Sequence, residues 1–485
     1  MSFRTRPASQ SAGLVCLIGL RQAYGSRVYD RCFADGLVSQ WIGHCQQVFN
    51  VATDSSPFSS ATSTPQVIDS PVMRSAGREV LSLALMDARN HTLHLFGQFQ
   101  KELEVQAYKV PFIDTVNPPL WDLGHVGWFQ EWWIGRNMQR SLGELSNSTH
   151  SRLASIEPHA DSWWNPAQAP HLERWSQELP APDHIRAYLL DTLECTLELL
   201  EKAADDEQAL YVYRLSLFHE DMLGETLVQT AQTLGLPLEQ ALREAFAPAR
   251  LSQRAPLLVP ASNWKLGSKA APGFAYDNEK PQHILQIPEF EIDAQPVSWA
   301  QYVEFVDDGG YDCAQLWHPD GWRWLQGQAT GEGRRGPRYV DQIGVASGAV
   351  MQTRFGQPMR MHGGQPALHM SWWEADAWCR WAGRRLPAEA EWELAAHTAG
   401  SRGFRWGDVW EWTASSFRPY GGDASGSADF KPGPDAGYSQ PFFNTHKVLR
   451  GASFATRARM KHPKFRKFCL PGRDDLFCGF RSCAL

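Results

Sequence analysis

The chain has no excess of positive charge, no long apolar run and no paired cysteines, and each shortage excludes a class of protein. Its 46 Lys and Arg stand against 53 Asp and Glu, a formal charge of −7, which is not the basic footprint of a nucleic-acid-binding protein. No apolar stretch approaches the roughly 18 residues that a membrane-spanning helix needs. The best targeting segment, Ser11 to Leu20 behind Arg4 and Arg6, lacks a clean small-residue cleavage site. The nine cysteines (Cys16, Cys32, Cys45, Cys195, Cys313, Cys379, Cys469, Cys478 and Cys483) are odd in number and scattered, and none forms a C-x-x-C pair. That pattern argues against a disulfide framework or a structural zinc site and for a reducing compartment. The expectation is a cytoplasmic protein with neither nucleic acid nor membrane as partner. Nothing in the spacing sets an oligomeric state.

What is present is globular. The 485 residues are 43% hydrophobic and 20% charged, enough for about three units, or two domains and something extra. Ser55 to Ser70 is rich in Ser, Thr and Pro, so residues 1–72 are expected to be a disordered leader or an upstream-start artefact, with Met73 as the alternative beginning. From Arg78, Val80, Leu83, Leu85, Leu93, Leu95, Phe96 and Phe99 recur at helical spacing. A second helix is expected from Leu120, after Asn117-Pro118-Pro119, because proline suits a first turn. A third is expected from Pro182 to Ala204, and a fourth from Glu207 to Leu234, stopped by Gly235-Leu236-Pro237. Residues 73–247 thus read as a four-helix bundle. Pro248, Pro256 and Pro260 mark a linker at 248–262, and 263–485 reads as an irregular α+β domain with strand-like runs at His283–Ile287 and Lys447–Arg450 and a helix from Trp372 to Ala382.

Two histidines stand out in the helical half. His125 lies in Trp121-Asp122-Leu123-Gly124-His125, and His219 in Phe218-His219-Glu220-Asp221-Met222-Leu223-Gly224-Glu225. One imidazole from each of two facing helices is a start to a non-haem iron site with positions open for oxygen and substrate. The bland alternative is two hydrogen-bonded core histidines. A second helical ligand belongs at i+4, about 400° on, and that position is Leu223; Glu220 is about 100° away. Two ligands are offered and a third is left open.

The C-terminal half carries four motifs: Ser371 to Glu393, Gly407 to Thr413, Val448 to Phe454, and Gly479-Phe480-Arg481. In this order they resemble the formylglycine-generating-enzyme (sulfatase-modifying factor) fold, a C-type-lectin-like variant, over residues 258–485. Residues 78–245 resemble the DinB-like four-helix domain. The combination resembles the ergothioneine-type sulfoxide synthases, non-haem iron enzymes that use O2 to join sulfur to hercynine. Met86–Leu93, Asn117–Trp132, Ala160–Trp164 and the Phe480–Leu485 ending look closest to its selenoneine-forming branch, which uses a selenosugar. The implied fold is α+β and multi-domain, a DinB-like bundle followed by a C-type-lectin-like domain. The implied cofactor is Fe(2+), with O2 as co-substrate and hercynine and a selenosugar or thiol as small-molecule partners.

Carried over by position, the resemblance makes His125 and His219 metal ligands and puts Leu223 where the family has its third histidine. It gives Glu225 a supporting place behind the ligands, and Met222 a contact with substrate. The family's Tyr-x-x-Tyr-Ser segment falls on Asp435 to Ser439, so Asp435 replaces the first tyrosine and Tyr438 remains as acid or hydrogen-bond donor. The Asn-Trp-Asp substrate segment falls on Lys467-Phe468-Cys469, where Phe468 keeps an aromatic face for a trimethylammonium group. The copper-binding cysteines of true formylglycine-generating enzymes fall on Thr456 and Lys461, which cannot replace soft thiolates. Three readings follow: a carbon–selenium bond-forming enzyme, an ergothioneine-type sulfoxide synthase, and a catalytically degenerate carbohydrate or protein binding module.

Overall fold

Four long helices open the fold, and each begins and ends for a local reason. The structure is a computed structural model that describes residues 67–269, 272–328, 333–344, 348–421, 430–435 and 437–485. Helix α1 (Arg78–Leu103) packs on α3 (Pro182–Glu201) and α4 (Glu207–Leu234), and α2 (Pro119–Gln130) packs on the same two. Proline occupies the first turn of α2 and α3, where no intrahelical N–H is missed. The Asp206 carboxylate caps α4 by accepting from the N–H groups of Gln208 (3.0 Å) and Ala209 (2.8 Å). Gly235, in the left-handed region at φ 65°, ends it.

The face of α1 differs from the expected one by a rotation. Leu81, Ala84, Leu85, Ala88, Leu95, Phe96 and Phe99 are buried, while Leu83 is 39% exposed. Leu81, Leu85 and Ala88 keep the three-and-four spacing, and Leu83 falls on the far side of the turn. The expected leader is also cut short: the Arg459 N–H donates to Asp69 (3.1 Å), and Pro71–Ser75 forms a 3-10 turn with Met73 buried. Residues 1–66, which hold the rest of that expectation, lie outside the described residues.

Beyond α4 the chain becomes short strands. Strand β1 (Leu257–Val259) pairs antiparallel with β4 (Phe290–Ile292), and β2 (Ser262–Leu266) with β3 (His283–Ile287). The prolines at 256 and 260 bracket β1, so part of the expected linker is strand. A three-stranded meander joins β5 (Val340–Gly344), β6 (Ala349–Arg354) and β7 (Gln357–Met361). The four-stranded sheet has the order β10 (Lys467–Cys469), β9 (Lys447–Gly451), β8 (Trp410–Ser416), β11 (Cys478–Phe480), with β11 parallel to β8. Helices α5 (Trp372–Trp381) and α6 (Glu389–Thr398) belong to this region, and a Ser371–Glu374 capping box starts α5. The molecule is α+β: helical first, sheet-containing after. Among the described residues no helix is long and apolar enough to cross a membrane.

The four C-terminal motifs converge on one buried polar cluster. Arg481 on the last motif pairs with Glu411 on β8, which also accepts from the Trp392 indole N–H (2.7 Å). Arg450 on β9 pairs with Glu393 on α6. All four charged side chains are 0% exposed, so these residues hold sheet to helix and do not face a substrate. Isolated buried charges would be prohibitive, and pairing makes them tolerable.

Candidate functional site

Helices α2 and α4 bring the two histidines together. Their rings lie 5.2 Å apart, centroid to centroid, at 65°. His125 is sandwiched on its own helix between Trp121 (4.8 Å) and Trp128 (5.4 Å). Its Nδ1 lies 2.9 Å from the Trp164 carbonyl. A carbonyl only accepts, so this bond fixes the proton on Nδ1 and leaves Nε2 with a free lone pair. Trp164 can come that close because residue 124 is glycine: a Cβ there would sit 2.1 Å from the Trp164 ring. His219 stacks on Phe129, one turn beyond His125, with centroids 3.5 Å apart and planes within 4°. Burial pushes His125 down to about 4. Burial first, and His125 next, hold His219 well below its ordinary value. Both imidazoles are neutral at pH 7, the form that binds a metal.

The acidic residues near His219 are committed elsewhere. Glu220 pairs with Arg89 (2.8 Å), and Asp221 with Arg459 (2.6 and 2.7 Å). Glu225 accepts from the Trp410 indole (2.6 Å), Ser453 (2.7 Å) and Thr456 (2.8 Å), all from the C-terminal region. The structure therefore does not bring Glu225 to the histidines: six residues along a helix is 600°, well round from His219. It is a clamp between the two halves. Among the described residues no group of three or more His, Cys, Asp or Glu converges on a metal position. The donor set is two neutral imidazoles, which suits an open site completed by water and substrates but not a closed three-histidine one.

A small cavity of about 20 Å³, space for roughly one water, adjoins His219. Met222, on the same face of α4, lines it, and so do Tyr438 and Asp435 from the loop before β9. Sequence-chosen residues from both halves therefore meet in one space. The Tyr438 hydroxyl points at the Met222 sulfur (3.8 Å), and so does that of Tyr276 (3.9 Å), which stacks on Tyr438 at 4.8 Å. Burial, with Asp277 next, holds the Tyr438 phenol well above its usual value, so it stays protonated. Burial and then Asp277 push Asp435 up to about 6.

The other chosen segment lies to one side. Phe468 stacks on Phe417 (4.1 Å, 13°) and meets Tyr438 edge-on at 5.7 Å. The Lys467 ammonium sits 5.0 Å over the Trp410 ring. Burial pushes the Cys469 thiol up. None of the three lines the cavity that holds His219. Thr456 donates to Glu225 and Lys461 to the Gly407 carbonyl (2.9 Å), so those positions brace the fold. Sequence reasoning missed Tyr276 and Asp277, which line the cavity. Their only signal was an aromatic–acidic run, Phe274-Ala275-Tyr276-Asp277-Asn278-Glu279, just past the expected linker.

Comparisons with known proteins cover both halves of the chain. A family model described as sulfatase-modifying factor enzyme 1-like domain matches residues 243–407 and 405–484. The formylglycine-generating enzyme of Streptomyces coelicolor is 31% identical over 175 residues, 32% of this chain and 52% of that protein. The hercynine oxygenase of Mycobacterium tuberculosis is 28% identical over 448 residues, 83% of this chain and 98% of the relative. That of Mycolicibacterium smegmatis is 30% identical over 460 residues, again 83% and 98%. Because this likeness runs through the histidine-bearing helices as well as the sheet-containing half, the chain is an oxidoreductase and belongs to the hercynine oxygenase family.

Proposed function

We propose that this enzyme uses iron(II) and O2 to join C2 of the hercynine imidazole to the selenium of a selenosugar, giving a selenoxide. The observation that carries the reading is the cavity in which His219, Met222, Tyr438 and Asp435 meet, in a chain alike to hercynine oxygenases over 83% of its length. The step balances. The C2–H and Se–H bonds break, C–Se and Se=O bonds form, and O2 takes four electrons, ending as the selenoxide oxygen and one water. His125 and His219 are the residues that would hold iron, and a bound iron(II) would supply the means of reducing O2 beside both substrates. The His125 tautomer fixed by Trp164 aims its Nε2 lone pair. Tyr438, kept protonated by burial, donates a proton to oxygen as water forms. Asp435 serves as acid or base, or binds substrate. The aromatic walls exclude water and hold the reactants close, where proximity supplies much of the rate.

A second reading keeps the architecture and takes a cysteine-type thiol, as in the sulfur branch. Selenium is favoured by the departures at Asp435 and Lys467-Phe468-Cys469, which a changed substrate set would explain together. The binding-module reading loses its ground in a family of enzymes. The deciding experiment supplies hercynine, a selenosugar and a cysteine-type thiol together to anaerobically iron-loaded protein, admits O2, and reads products by mass spectrometry. A selenium adduct is expected. A sulfur adduct alone would move the enzyme to the sulfur branch, and no adduct would overturn both.

A further inference from the structure

A row of stacked rings runs along α2 and passes through His125. Trp121, His125, Trp128 and Trp132 are spaced four, three and four residues apart, so one helical face carries them all. Past Gln130 the helix continues as a π-turn, Glu131–Gly135, which brings Trp132 into the row. The ring centroids step by 4.8, 5.4 and 5.3 Å, with planes 14°, 20° and 28° apart. Trp121 and Trp128 are buried, and Trp132 is half-buried at the surface end.

The three indoles differ in their surroundings. The Arg174 guanidinium lies 3.8 Å over Trp121, and those of Arg136 and Arg152 lie 5.0 and 5.1 Å over Trp132. A cation against a ring face attracts its electrons and opposes their removal. Trp128 instead has rings as its neighbours in the row, His125 and Trp132. Its indole N–H donates to the Asp161 carboxylate (2.8 Å), which Arg136 holds through two bonds of 2.8 Å. The Trp121 N–H donates to the Trp163 carbonyl (2.7 Å), which takes no proton. An indole that loses an electron becomes acidic at its N–H, so a carboxylate already bonded there makes oxidation easiest at Trp128. The phenols beside His219 aim elsewhere: Tyr438 and Tyr276 point their hydroxyls at the Met222 sulfur (3.8 and 3.9 Å).

We propose that Trp128 is a one-electron donor to the metal site, used when O2 is reduced there before both substrates are in place. This goes beyond the coupled reaction, whose four electrons come from the substrates, and it rests on the iron reading above for its oxidant. The balance is two electrons, one from Trp128 and one from iron(II), taken by O2 with two protons to give hydrogen peroxide. The bond that breaks in the protein is the Trp128 indole N–H. Its proton passes to Asp161 and on to solvent, solvent supplies the second proton, and a neutral tryptophanyl radical remains. A one-electron reductant of the ascorbate or thiol class, acting at the Trp132 end, returns the electron, and a proton follows it.

The test mixes full-length, anaerobically iron-loaded protein with O2 in the absence of hercynine and selenosugar, freezes it within milliseconds and records the electron paramagnetic resonance spectrum. An organic radical is expected that narrows in protein grown on indole-deuterated tryptophan. Trp128→Phe should abolish it while keeping the iron(II) affinity read by chelator competition. Trp121→Phe and Trp132→Phe should keep it, and Trp132→Phe should slow its decay with ascorbate. Asp161→Asn should leave the protonated radical, which absorbs at longer wavelength. No radical in iron-loaded protein, or one that survives Trp128→Phe, would overturn the proposal and reduce the row to packing. Failure to bind iron would overturn the iron reading instead. One-electron photo-oxidation of the metal-free protein by a ruthenium tris-bipyridine sensitiser then decides for Trp128: a radical lost in Trp128→Phe upholds it as the redox-active indole, and one unaffected by that change overturns it.

Discussion

A methyl-terminated side chain at position 223 is the sharpest residue-scale feature of the site. Four residues beyond His219, it returns to nearly the same helical face, yet offers no donor. Leu223→His should tighten iron(II) binding by at least tenfold, read anaerobically by competition with a chromogenic chelator; unchanged affinity would mean that position 223 does not face the metal. His369 poses a different residue-scale question. It is fully buried and sits in the left-handed region at φ 64°. Burial, and then Arg354, push it down to about 3. The unfolded chain therefore takes up a proton near pH 6.5 that the folded state refuses, and stability falls as pH drops through that value. Between pH 7 and 5 this group alone should remove about 2 kcal/mol. Urea denaturation of the wild type and His369→Leu at both pH values checks it: whatever the variant's stability at pH 7, its acid loss should be smaller by that amount. Equal losses would show that His369 is not the group responsible.

At the scale of elements, the approach of the Trp164 segment to α2 sets the orientation of His125. Gly124 makes it possible, since a Cβ at that position would fall inside the Trp164 indole. Gly124→Ala should cost about 1–3 kcal/mol, as overpacking of a close contact does, and should also loosen iron by displacing the carbonyl that holds His125. A lowered melting temperature with intact iron affinity would separate the two effects and remove Trp164 as the orienting group. Much of this scale was legible beforehand. The third and fourth helices begin at the expected residues, Pro182 and Glu207, and the helix expected over 372–382 ends within one residue, because proline, the Asp206 cap, Gly235 and the Ser371 capping box are local signals. β1 was not legible, because prolines flank it and its partner β4 lies some thirty residues on.

At the scale of the molecule, the helical and sheet-containing parts are locked by buried polar contacts from α4. Glu225 takes three hydrogen bonds from Trp410, Ser453 and Thr456, and Gln229 donates to Asp475 (2.9 Å). Glu225→Ala would strand three buried donors and should cost about 3 kcal/mol or more. Differential scanning calorimetry should show a lower transition, and the cavity between His219 and Tyr438, built from both parts, should lose substrate affinity with it. A variant as stable as the wild type would show that the clamp is dispensable.

The sequence by itself determined most helix limits, the two histidines on facing helices, the leucine at 223 and the likeness of both halves to one enzyme group. These follow from residue type and spacing along the chain, which local rules read directly. Only the tertiary structure decided that Glu225 braces the two halves, that Phe468 packs beside the cavity and not in it, and that Tyr276 and Asp277 join Tyr438 and Asp435 around it. Those facts depend on which distant segments share a buried space. There, the lack of water makes each unpaired charge and each aromatic face count, and no spacing along the chain records who the neighbours are.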